Sequence, residues 1–586
     1  MDRSQEQYTQ IGNVWWTLKG PGAAWAPHRI TPFLSRLTEM PGARLIKRTM
    51  VRTVVRASLS ETAPAPSEVI IKVHRCARLL ERVKHLIAPS KAAQEWTMAH
   101  ALAEAGVPTF KPIAFAERWA SGLLTECCLV SEALPDAHPL TSLLDGPLQS
   151  WSVSDRRRLL TDLAVIIRRL HAANILHNDL HAGNILCRLA EQNAATLYLL
   201  DLHATRKVAW MSSRRRRENL VRLLASILTR TSAQERHEFL MAYARGNPTF
   251  ERLIARRQMV LDRDAAAYLA WTHRVRTVRC LQRSSEFDCQ ALDGAKVHFR
   301  RSFPPERIRQ TLALHTAAVA ARGPQLLKSS ARGRITAVSL ETDARPVHLC
   351  VKESRAYGWK ERIEALFRGS ESRRIWVAAN GLRVRGVPAC QLLAAGERRK
   401  FGLLTQSFVI MKALEHCIPL DQYLHPRLSY LEGAELARFK RGMAISLAGF
   451  LADLHAGQIF HADLKPSNIM VREQPGRERM GAHGAWQFVL VDLDRVRFDR
   501  DVSPKRRARN LAQLDSAFQH RLTKTDRLRC FRAYIEASRK TQDERRFLKH
   551  VLYQSQRLLA TNWQGLRDML ANLTHKDLGL PIPPQR

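Results

Sequence analysis

The feature that most constrains how this chain can fold is an internal repeat with a period of about 280 residues. Residues 45–59 align with residues 326–340 at an offset of 281, and HNDLHAGNIL at 177–186 aligns with HADLKPSNIM at 461–470 at an offset of 284. The matched segments keep their order while the offset drifts slowly, as small loop insertions would cause. The repeat therefore predicts two similar units in tandem, with a seam near residue 283.

The length and charge of the chain narrow its class. A chain of 586 residues is too long for one hydrophobic core, which agrees with domains at residues 1–283 and 284–586. The 93 Lys and Arg residues outnumber the 54 Asp and Glu residues, which gives a formal net charge of +39. This excess points to an anionic partner, such as nucleic acid, an acidic membrane or a phosphate-rich substrate.

The cysteines and the hydropathy pattern indicate a compartment. None of the ten cysteines forms a C-x-x-C pair, which argues against a zinc site or a disulfide framework and favours a reducing environment. The first residues are charged and polar with no apolar segment behind them, and no apolar run is long enough to cross a bilayer. We expect a cytoplasmic protein that can also lie on the inner membrane surface.

Each unit has the same order of predicted elements. Alternating β-branched segments at 45–59 and 326–340 predict an antiparallel hairpin, and a strand ending in Lys follows it. Ser90 and Ser370 are predicted N-caps of the next helix. More strands and then a mostly helical half complete each unit, so strands followed by helices predict a two-lobed α+β domain.

A set of polar residues in the first unit has the chemistry of phosphoryl transfer. Lys72 at a strand can neutralise nucleotide phosphates, and Glu95 on the following helix can orient that lysine. Asp179 can accept a hydroxyl proton, while Asn184 and Asp201 offer oxygen ligands to Mg²⁺. The second unit repeats most of this set.

These motifs resemble those of the protein-kinase-like fold, and more closely those of the bacterial lipopolysaccharide kinases, which phosphorylate inner-core heptose or Kdo sugars. The resemblance rests on HNDLHAGNIL followed by LLDLHATR, on HADLKPSNIM followed by LVDLDRVR, and on Glu95-Trp96 with the Gly-Val-Pro at 106–108. It covers nearly all of both halves. It implies two tandem bilobal kinase-like domains, each with a small, mainly β N-lobe containing one helix and a mainly helical C-lobe.

The resemblance also implies an activity and a set of site residues. The implied activity is transfer of phosphate from ATP, with Mg²⁺, to a sugar hydroxyl of the lipopolysaccharide core or another phosphorylated glycan. The implied catalytic residues are Asp179 and Asp463. Cofactor binding falls to Lys72, Glu95, Lys352 and Lys465, and metal binding to Asn184, Asp201, Asn468 and Asp492.

Several departures from regulated protein kinases bear on the acceptor. Asn178 and Ala462 replace the basic residue that usually follows the motif histidine, and no Phe-Gly follows Asp201 or Asp492. This favours a small-molecule or glycan acceptor over a protein. No G-x-G-x-x-G motif is present, and the second hairpin has only Gly333. The phosphates of ATP must then be held by other backbone amides or by basic side chains.

The two units differ at the helix that should support the lysine. The residue matched to Glu95 is Ile375, and Glu371, one helical turn earlier, could take its place only if the helix rotates or slides. We therefore expect Lys352 to lack its ion pair and the first unit to be the more active one.

Basic runs and alternative functions remain open from the sequence. Arg214–Arg217, and Lys505, Arg506, Arg507 and Arg509 in the second unit, could contact a phosphorylated glycan or an anionic membrane, or form an ordinary solvated face. The alternatives are a kinase of another small molecule or of a protein, and a pseudokinase scaffold with an anion-binding surface. A purely nucleic-acid-binding protein would explain the charge but not the duplicated acidic residues.

Overall fold

The structure is a computed structural model that describes residues 6–20, 23–58, 68–189, 195–246, 248–331, 333–342, 345–355, 358–473, 486–518, 522–538 and 543–571. It divides into two compact units, Met1–Leu269 (unit 1) and Ala270–Arg586 (unit 2). The limit between them falls inside a helix, Pro248–Val278. The domain limit near residue 283, which was inferred from the repeat, stays a prediction.

Unit 1 begins with a sheet-rich half and ends with a helical half. Its strands are β1 (Glu6–Ile11), β2 (Val14–Lys19), β3 (Ala43–Arg48), β4 (Arg52–Ser58), β5 (Glu68–Arg75), β6 (Pro112–Ala120), β7 (Leu123–Glu132), β8 (Ala137–Pro139), β9 (Ile175–His177), β10 (Ile185–Leu189), β11 (Ala195–Leu199) and β12 (Thr205–Lys207). Its helices are α1 (Trp25–Ile30), α2 (Leu79–Lys84), α3 (Lys91–Glu104), α4 (Leu140–Asp145), α5 (Val153–Ala172), α6 (Ser213–Ile227), α7 (Ala233–Ala244) and α8 (Pro248–Val278).

Unit 2 repeats this order of elements. Its strands are β13 (Phe287–Leu292), β14 (Ala295–Arg300), β15 (Leu326–Ser330), β16 (Gly333–Leu340), β17 (Val347–Arg355), β18 (Leu392–Lys400), β19 (Leu403–Lys412), β20 (Ile418–Pro419), β21 (Ile459–His461), β22 (Ile469–Glu473), β23 (Trp486–Leu490) and β24 (Val496–Phe498). Its helices are α9 (Pro305–Ala321), α10 (Trp359–Arg368), α11 (Glu371–Val384), α12 (Leu420–Tyr430), α13 (Gly433–Ala456), α14 (Pro504–Phe518), α15 (Lys524–Ser538) and α16 (Glu544–Ala571).

The main sheets of the two units have the same strand order. In unit 1 the order is β1-β2-β6-β7-β5-β4-β3, and in unit 2 it is β13-β14-β18-β19-β17-β16-β15. Every pairing in both sheets is antiparallel, including the predicted hairpins β3–β4 and β15–β16. The α+β class and the two tandem kinase-like units are confirmed.

Some strands and helices at the start of each unit were not predicted from the sequence. The hairpins β1–β2 and β13–β14 extend each sheet to seven strands, and α1 and α2, or α9 and α10, join the one predicted helix of each sheet-rich half. Trp16 of β2 is buried, and its indole Nε1 donates to the Thr31 hydroxyl at 3.0 Å. Strand β2 is therefore packed into the core of unit 1.

The helices that follow the lysine strands begin where their capping residues predict. The Ser90 hydroxyl accepts from the backbone N–H of Ala93 at 3.1 Å, and the Ser370 hydroxyl accepts from that of Arg373 at 3.1 Å. Each bond satisfies an N–H group that has no partner within the first helical turn. Both predicted N-caps are confirmed, and they fix where the support helix starts beside the sheet.

Three helices in the helical half of each unit meet at a buried histidine. In unit 1, His171 of α5 lies 2.7 Å from the Tyr243 hydroxyl of α7 and 3.3 Å from Asn219 Oδ1 of α6. In unit 2, His455 makes the corresponding contacts to Tyr534 and Asn510 at 2.8 and 3.3 Å. A buried polar side chain needs such partners, so these contacts fix how the three helices pack beneath the site.

Among the described residues, none of the helices has the length and apolar character needed to span a membrane.

Candidate active site

A buried ion pair links the lysine strand of unit 1 to its support helix. Lys72 Nζ lies 2.9 Å from Glu95 Oε2, and the Glu95 side chain is only 1% exposed. Burial raises the pKa of Glu95, but the charge of Lys72 and the hydrogen bonds from His203 and Lys72 outweigh it and lower that pKa to about 2. Glu95 is therefore ionised, and it holds the lysine in one position.

Asp201 approaches the same lysine from the end of strand β11. Its carboxylate Oδ1 lies 3.7 Å from Lys72 Nζ, and its backbone is left-handed at φ 55° and ψ 49°. Asp492 adopts the same conformation in unit 2, at φ 55° and ψ 57°. A left-handed conformation is unfavourable for a residue with a side chain, so its occurrence in both units indicates that the direction of this carboxylate matters.

The second cation at Asp201 is Arg52, at the start of β4. Its Nη2 lies 2.7 Å from Asp201 Oδ1, and its Nη1 lies 3.4 Å from Oδ2. Burial raises the pKa of Asp201, yet the hydrogen bond from Arg52 and the charges of Lys72 and Arg52 hold it well below its ordinary value. Two cations thus neutralise this carboxylate.

Asp179 stands on the loop after β9 with two polar neighbours. Asn184 Nδ2 donates to the Asp179 backbone oxygen at 2.9 Å and to its Oδ2 at 3.3 Å. His181 Nε2 lies 3.7 Å from the same Oδ2. The hydrogen bond from His181 is the main reason why the pKa of Asp179 falls to about 2.

His177 connects the loop of Asp179 to the strand of Asp201. Its Nδ1 accepts from the Asp179 backbone N–H at 3.2 Å, and its Nε2 lies 3.0 Å from the Leu200 carbonyl oxygen. An Nδ1 that accepts leaves the proton on Nε2, which then donates to Leu200. Burial lowers the pKa of His177, which agrees with a neutral ring. The structure gives this histidine a positioning role.

In unit 2 the lysine strand is also linked to the support helix by an ion pair, which we did not predict from the sequence. Lys352 Nζ lies 2.8 Å from Glu371 Oε1, and the Ser354 hydroxyl donates to Glu371 Oε2 at 2.9 Å. The expectation that Lys352 lacks a partner is therefore wrong. Glu371 precedes Ile375 by four residues, so both lie on one face of α11, and the acid reaches the lysine from the first turn. Ile375 packs in the core.

The loop that bears Asp463 in unit 2 has the same backbone arrangement, with a lysine in place of His181. Asn468 Nδ2 donates to the Asp463 backbone oxygen at 2.9 Å, and the Asp463 backbone N–H donates to His461 Nδ1 at 3.2 Å. Lys465 Nζ lies 3.4 Å from Asp463 Oδ2. Lys465 thus stands where unit 1 has His181, beside the proposed catalytic aspartate.

The residues around Lys352 carry more negative charge than those around Lys72. Asp492 Oδ1 lies 3.4 Å from Lys352 Nζ, in addition to Glu371. Burial and the neighbouring charges of Asp492 and Glu371 raise the pKa of Asp494. Gly333 of unit 2 pairs with Ser354, and Arg52 of unit 1 pairs with His74. These are matched positions of the two sheets, so unit 2 has a glycine where unit 1 has Arg52.

The oxygen donors of both sites fit a magnesium ion. The backbone N–H of Leu200 donates to the Asn184 carbonyl at 2.8 Å, so the two segments that bear Asn184 and Asp201 lie side by side. The same bond joins Val491 to Asn468 at 3.1 Å. Asn184 Nδ2 already donates to Asp179. The amide oxygen of Asn184 is therefore the atom that can bind a cation. Carboxylate and amide oxygens are the ligands that Mg²⁺ prefers.

Two site residues, Arg52 and His181, were not predicted from the sequence. Arg52 and Asp201 are 149 positions apart, and only the tertiary fold brings them together. His181 could have been found, because the offset of 284 aligns it with Lys465, which was chosen for its charge. Glu371 was predicted only as a substitute that requires a shift of the helix, yet positions i and i+4 share a face and the acid reaches the lysine from there.

The basic runs are largely engaged within their own units. Arg217 pairs with Asp264, and Arg216 Nη1 donates to the Tyr243 hydroxyl at 3.2 Å. In unit 2, Arg506 pairs with Asp499, and the buried Arg507 lies over the Phe547 ring at 5.6 Å. These contacts give the runs a structural use, and contact with an external anion remains a prediction.

Comparison with known proteins identifies the family. The profile of the lipopolysaccharide kinase (Kdo/WaaP) family matches residues 72–243 and again residues 327–534, which together make up more than half of the chain. The chain belongs to the lipopolysaccharide kinase (Kdo/WaaP) family. The first match starts at Lys72 and includes the site residues of unit 1 from there to Asp201. The second includes all the predicted site residues of unit 2.

Similar proteins carry both names of this family. The lipopolysaccharide core heptose(I) kinase WaaP of Escherichia coli (strain K12) is 28% identical over 168 residues, which are 27% of this chain and 62% of that protein. The enzyme of the same name from Pseudomonas aeruginosa is 27% identical over 216 residues, or 36% of this chain and 74% of its own length. The 3-deoxy-D-manno-octulosonic acid kinase of Haemophilus influenzae (strain PittEE) is 33% identical over 116 residues, 19% of this chain and 44% of that protein.

Proposed function

We propose that this chain transfers the γ-phosphoryl group of ATP to a hydroxyl of a lipopolysaccharide core sugar. The observation that carries the proposal is the buried contact of 2.9 Å between Lys72 and Glu95, with Asp201 at 3.7 Å from the same lysine. This arrangement is what phosphoryl transfer requires of a kinase-like site, and it occurs in a member of the lipopolysaccharide kinase family.

The residues of each unit divide the work of phosphoryl transfer. ATP with Mg²⁺ supplies the phosphoryl group and neutralises charge on its oxygens. Asn184 and Asp201 in unit 1, and Asn468 and Asp492 in unit 2, would hold the metal. Lys72 and Lys352, each fixed by a glutamate, would bind α- and β-phosphates. Such a site acts chiefly by alignment and by charge neutralisation.

Asp179 orients the acceptor and receives its proton. A carboxylate with a pKa of about 2 is a weak base, so it does not deprotonate a sugar hydroxyl in advance. It holds the hydroxyl by a hydrogen bond and takes the proton as the new oxygen–phosphorus bond forms and the bond to ADP breaks. Asp463 would serve the same step in unit 2.

Arg52 supplies the phosphate contact that a glycine-rich loop would otherwise make. It lies at the start of β4, in the hairpin that takes the place of such a loop, and its guanidinium already reaches the site. With Asp201 engaged by the metal, Arg52 would be available to bind phosphate oxygens of the nucleotide. A planar guanidinium is well suited to bind phosphate oxygens in pairs.

The family and the charge of the chain support a proposal for the acceptor and the location. The relatives are named for heptose and for Kdo sugars, and the core of lipopolysaccharide is anionic, which suits a chain with a net charge of +39. We propose that the protein works in the cytoplasm on lipopolysaccharide at the inner membrane.

The test is incubation of the purified chain with labelled ATP and Mg²⁺, with lipopolysaccharide or with a generic protein as acceptor. We expect label in lipopolysaccharide alone, and we expect the variant Asp179→Asn with Asp463→Asn to transfer none while keeping its folded circular dichroism spectrum. Each single variant reports the contribution of the other unit. Transfer by the double variant, or absence of thermal stabilisation by ATP with Mg²⁺ in the wild type, would refute the proposal.

A further inference from the structure

Each unit exposes apolar side chains between its lysine strand and its support helix. In unit 1 these belong to α2 and the residues just after it, and in unit 2 to α10. The exposed fractions are 66%, 45%, 57% and 96% for Leu79, Val83, Leu86 and Ile87, and 69%, 45%, 51% and 86% for Trp359, Ile363, Leu366 and Phe367. We call each set of four the apolar stripe of its unit.

The two stripes occupy the same positions of the repeat. The offset of 280 that relates Lys72 to Lys352 also relates every member of one stripe to a member of the other. Three of the four pairs differ in residue type, and only Leu86 and Leu366 are identical. In α10 the spacing i, i+4, i+7, i+8 puts all four members on one side of the helix. In unit 1, α2 contains Leu79 and Val83, and the turn that follows it contains Leu86 and Ile87. The two copies thus differ in side-chain shape but keep apolar, exposed side chains at these positions. Packing in the core does not explain this, because the side chains are exposed.

The other side of each segment is held against the body of its unit, so the stripe faces outward. In unit 1, Lys91 Nζ lies 3.1 Å from Glu81 Oε1, and Arg82 Nε donates to the Cys76 carbonyl at 2.8 Å. In unit 2, the buried Ala365 faces the body of the unit. Exposure of the stripes is therefore built into the fold, and clustered apolar exposure of this kind marks an interaction surface.

Exposed basic residues accompany both stripes. Arg78 and Lys84 are exposed beside the stripe of unit 1, and Arg368 is exposed at the end of the stripe of unit 2. Large apolar and aromatic side chains next to basic ones suit the boundary between acyl chains and anionic headgroups. Trp359 is of the type that is enriched at that boundary. A second protein would need a matching apolar groove, but the charge of this chain favours an anionic bilayer.

We propose that the apolar stripe of each unit is a membrane-docking surface, which inserts into the surface of an anionic membrane. The inference deepens the proposed function, because a lipopolysaccharide acceptor is itself anchored in a bilayer. The stripe follows the lysine strand directly, so docking brings the membrane surface to the sheet-rich half of a unit. Membrane binding as such needs neither ATP nor a catalytic residue.

The test is co-sedimentation of the full chain with vesicles, without ATP. One vesicle preparation contains phosphatidylglycerol with phosphatidylethanolamine, and the other contains phosphatidylcholine alone. The stripe variants are Leu86→Asn with Ile87→Ser in unit 1, and Leu366→Asn with Phe367→Ser in unit 2. Met259→Ser and Tyr430→Ser are the controls, since these residues are 85% and 84% exposed in the helical halves.

We expect the wild type and both controls to bind the anionic vesicles more tightly than the phosphatidylcholine vesicles. Each stripe variant should bind the anionic vesicles at least about tenfold more weakly, as expected for removal of two large apolar side chains from the interface. The variants should keep the wild-type thermal unfolding temperature, because the changed residues are exposed. Wild-type binding by the variant with all four changes would overturn the inference.

A second measurement separates this inference from the proposed function. Phosphotransfer is compared with lipopolysaccharide in vesicles and with the soluble, delipidated core oligosaccharide. We expect the stripe variants to lose activity on the first acceptor and keep it on the second. If the wild type phosphorylates neither acceptor but still binds anionic vesicles, the proposed function fails and the docking surface stands. If the wild type binds no vesicle and the variants instead lose a protein contact, the docking inference is wrong.

Discussion

At the scale of single residues, the site of unit 1 depends on an arginine that no sequence motif indicates. Arg52 and Lys72 together neutralise Asp201, so three side chains from β4, β5 and the end of β11 form one charged cluster. These three side chains carry a net positive charge at the place where the proposed function would put the phosphates of ATP. In this respect unit 1 differs from unit 2, where Gly333 occupies the matched position.

We predict that Arg52→Ala weakens ATP binding by about tenfold, the equivalent of one charge-assisted hydrogen bond. Asp201 then keeps Lys72 as its remaining partner, so the affinity for Mg²⁺ should not fall. Isothermal titration of ATP against the variant measures this. Arg52→Lys is the control, and it should recover part of the affinity because it keeps the charge without the planar fork. Wild-type ATP affinity in Arg52→Ala would contradict the assignment.

The glutamates of the two ion pairs differ in burial, which predicts different costs when each is made neutral. Glu95→Gln leaves the charge of Lys72 in a site where the side chains are 9% and 1% exposed, and we expect a loss of about 3–5 kcal/mol of stability in unit 1. Glu371→Gln acts where the side chains are 26% and 23% exposed, and we expect a loss of about 1 kcal/mol or less. Calorimetry of both variants measures the two losses of stability. Equal losses would contradict the predicted effect of burial.

At the scale of elements, the support helix of each unit is fitted to the short strand beneath it. A Cβ added to Gly381 of α11 would lie 2.3 Å from the Phe498 ring of β24. Unit 1 has Ala101 and the exposed Lys207 at the matched positions, so no aromatic ring stands at that place in its strand. The two units therefore have different residue pairs at the place where the support helix approaches this strand.

We predict that Gly381→Ala destabilises unit 2 by about 1–3 kcal/mol, because the aromatic ring must move out of a packed position. The double variant Gly381→Ala with Phe498→Leu should recover most of this loss, since leucine leaves room for the methyl group. Urea unfolding of the single and double variants measures both effects. A single variant as stable as the wild type would show that the ring moves freely.

Elements formed by local sequence were predicted, while those that depend on distant pairing were not. Ser90 and Ser370 cap helices through bonds three residues away, and the hairpin β3–β4 joins neighbouring segments, so periodicity and capping rules suffice. The strands β2 and β14 pair with β6 and β18, about a hundred residues later, and the sequence carries no local signal of that. The same limit hid the contact of Arg52 with Asp201.

At the scale of the whole molecule, buried neutral histidines make stability depend on pH. Burial lowers the pKa of His74 to about 3, and that of His171 and His273 to about 4. Between these values and the ordinary value of about 6.5, the unfolded chain binds more protons than the folded one. The stabilisation is complete above pH 6.5 and is lost as the pH falls toward 4 and then 3.

We predict that the free energy of unfolding falls between pH 7 and pH 4.5, before Glu95 and Asp179 begin to contribute. Those carboxylates have lowered pKa values of about 2, so their part is lost only below about pH 4.5. Urea unfolding at several pH values measures the slope. His74→Phe should flatten it, because the buried Nε2 of His74 has no hydrogen-bond partner among the described residues. An unchanged slope in that variant would contradict the assignment.

The hairpin glycine of unit 2 limits what mutation can do to this protein. A Cβ at Gly333 would lie 2.6 Å from the carbonyl oxygen of Glu353, which belongs to the neighbouring strand. A single Gly333→Arg change therefore cannot give unit 2 the cation that unit 1 holds at Arg52, because the backbone of β16 would have to move first. The arginine of unit 1 therefore cannot be transferred to unit 2 by one substitution, and a chain with two equivalent phosphate-binding hairpins would need a rebuilt β16–β17 pairing.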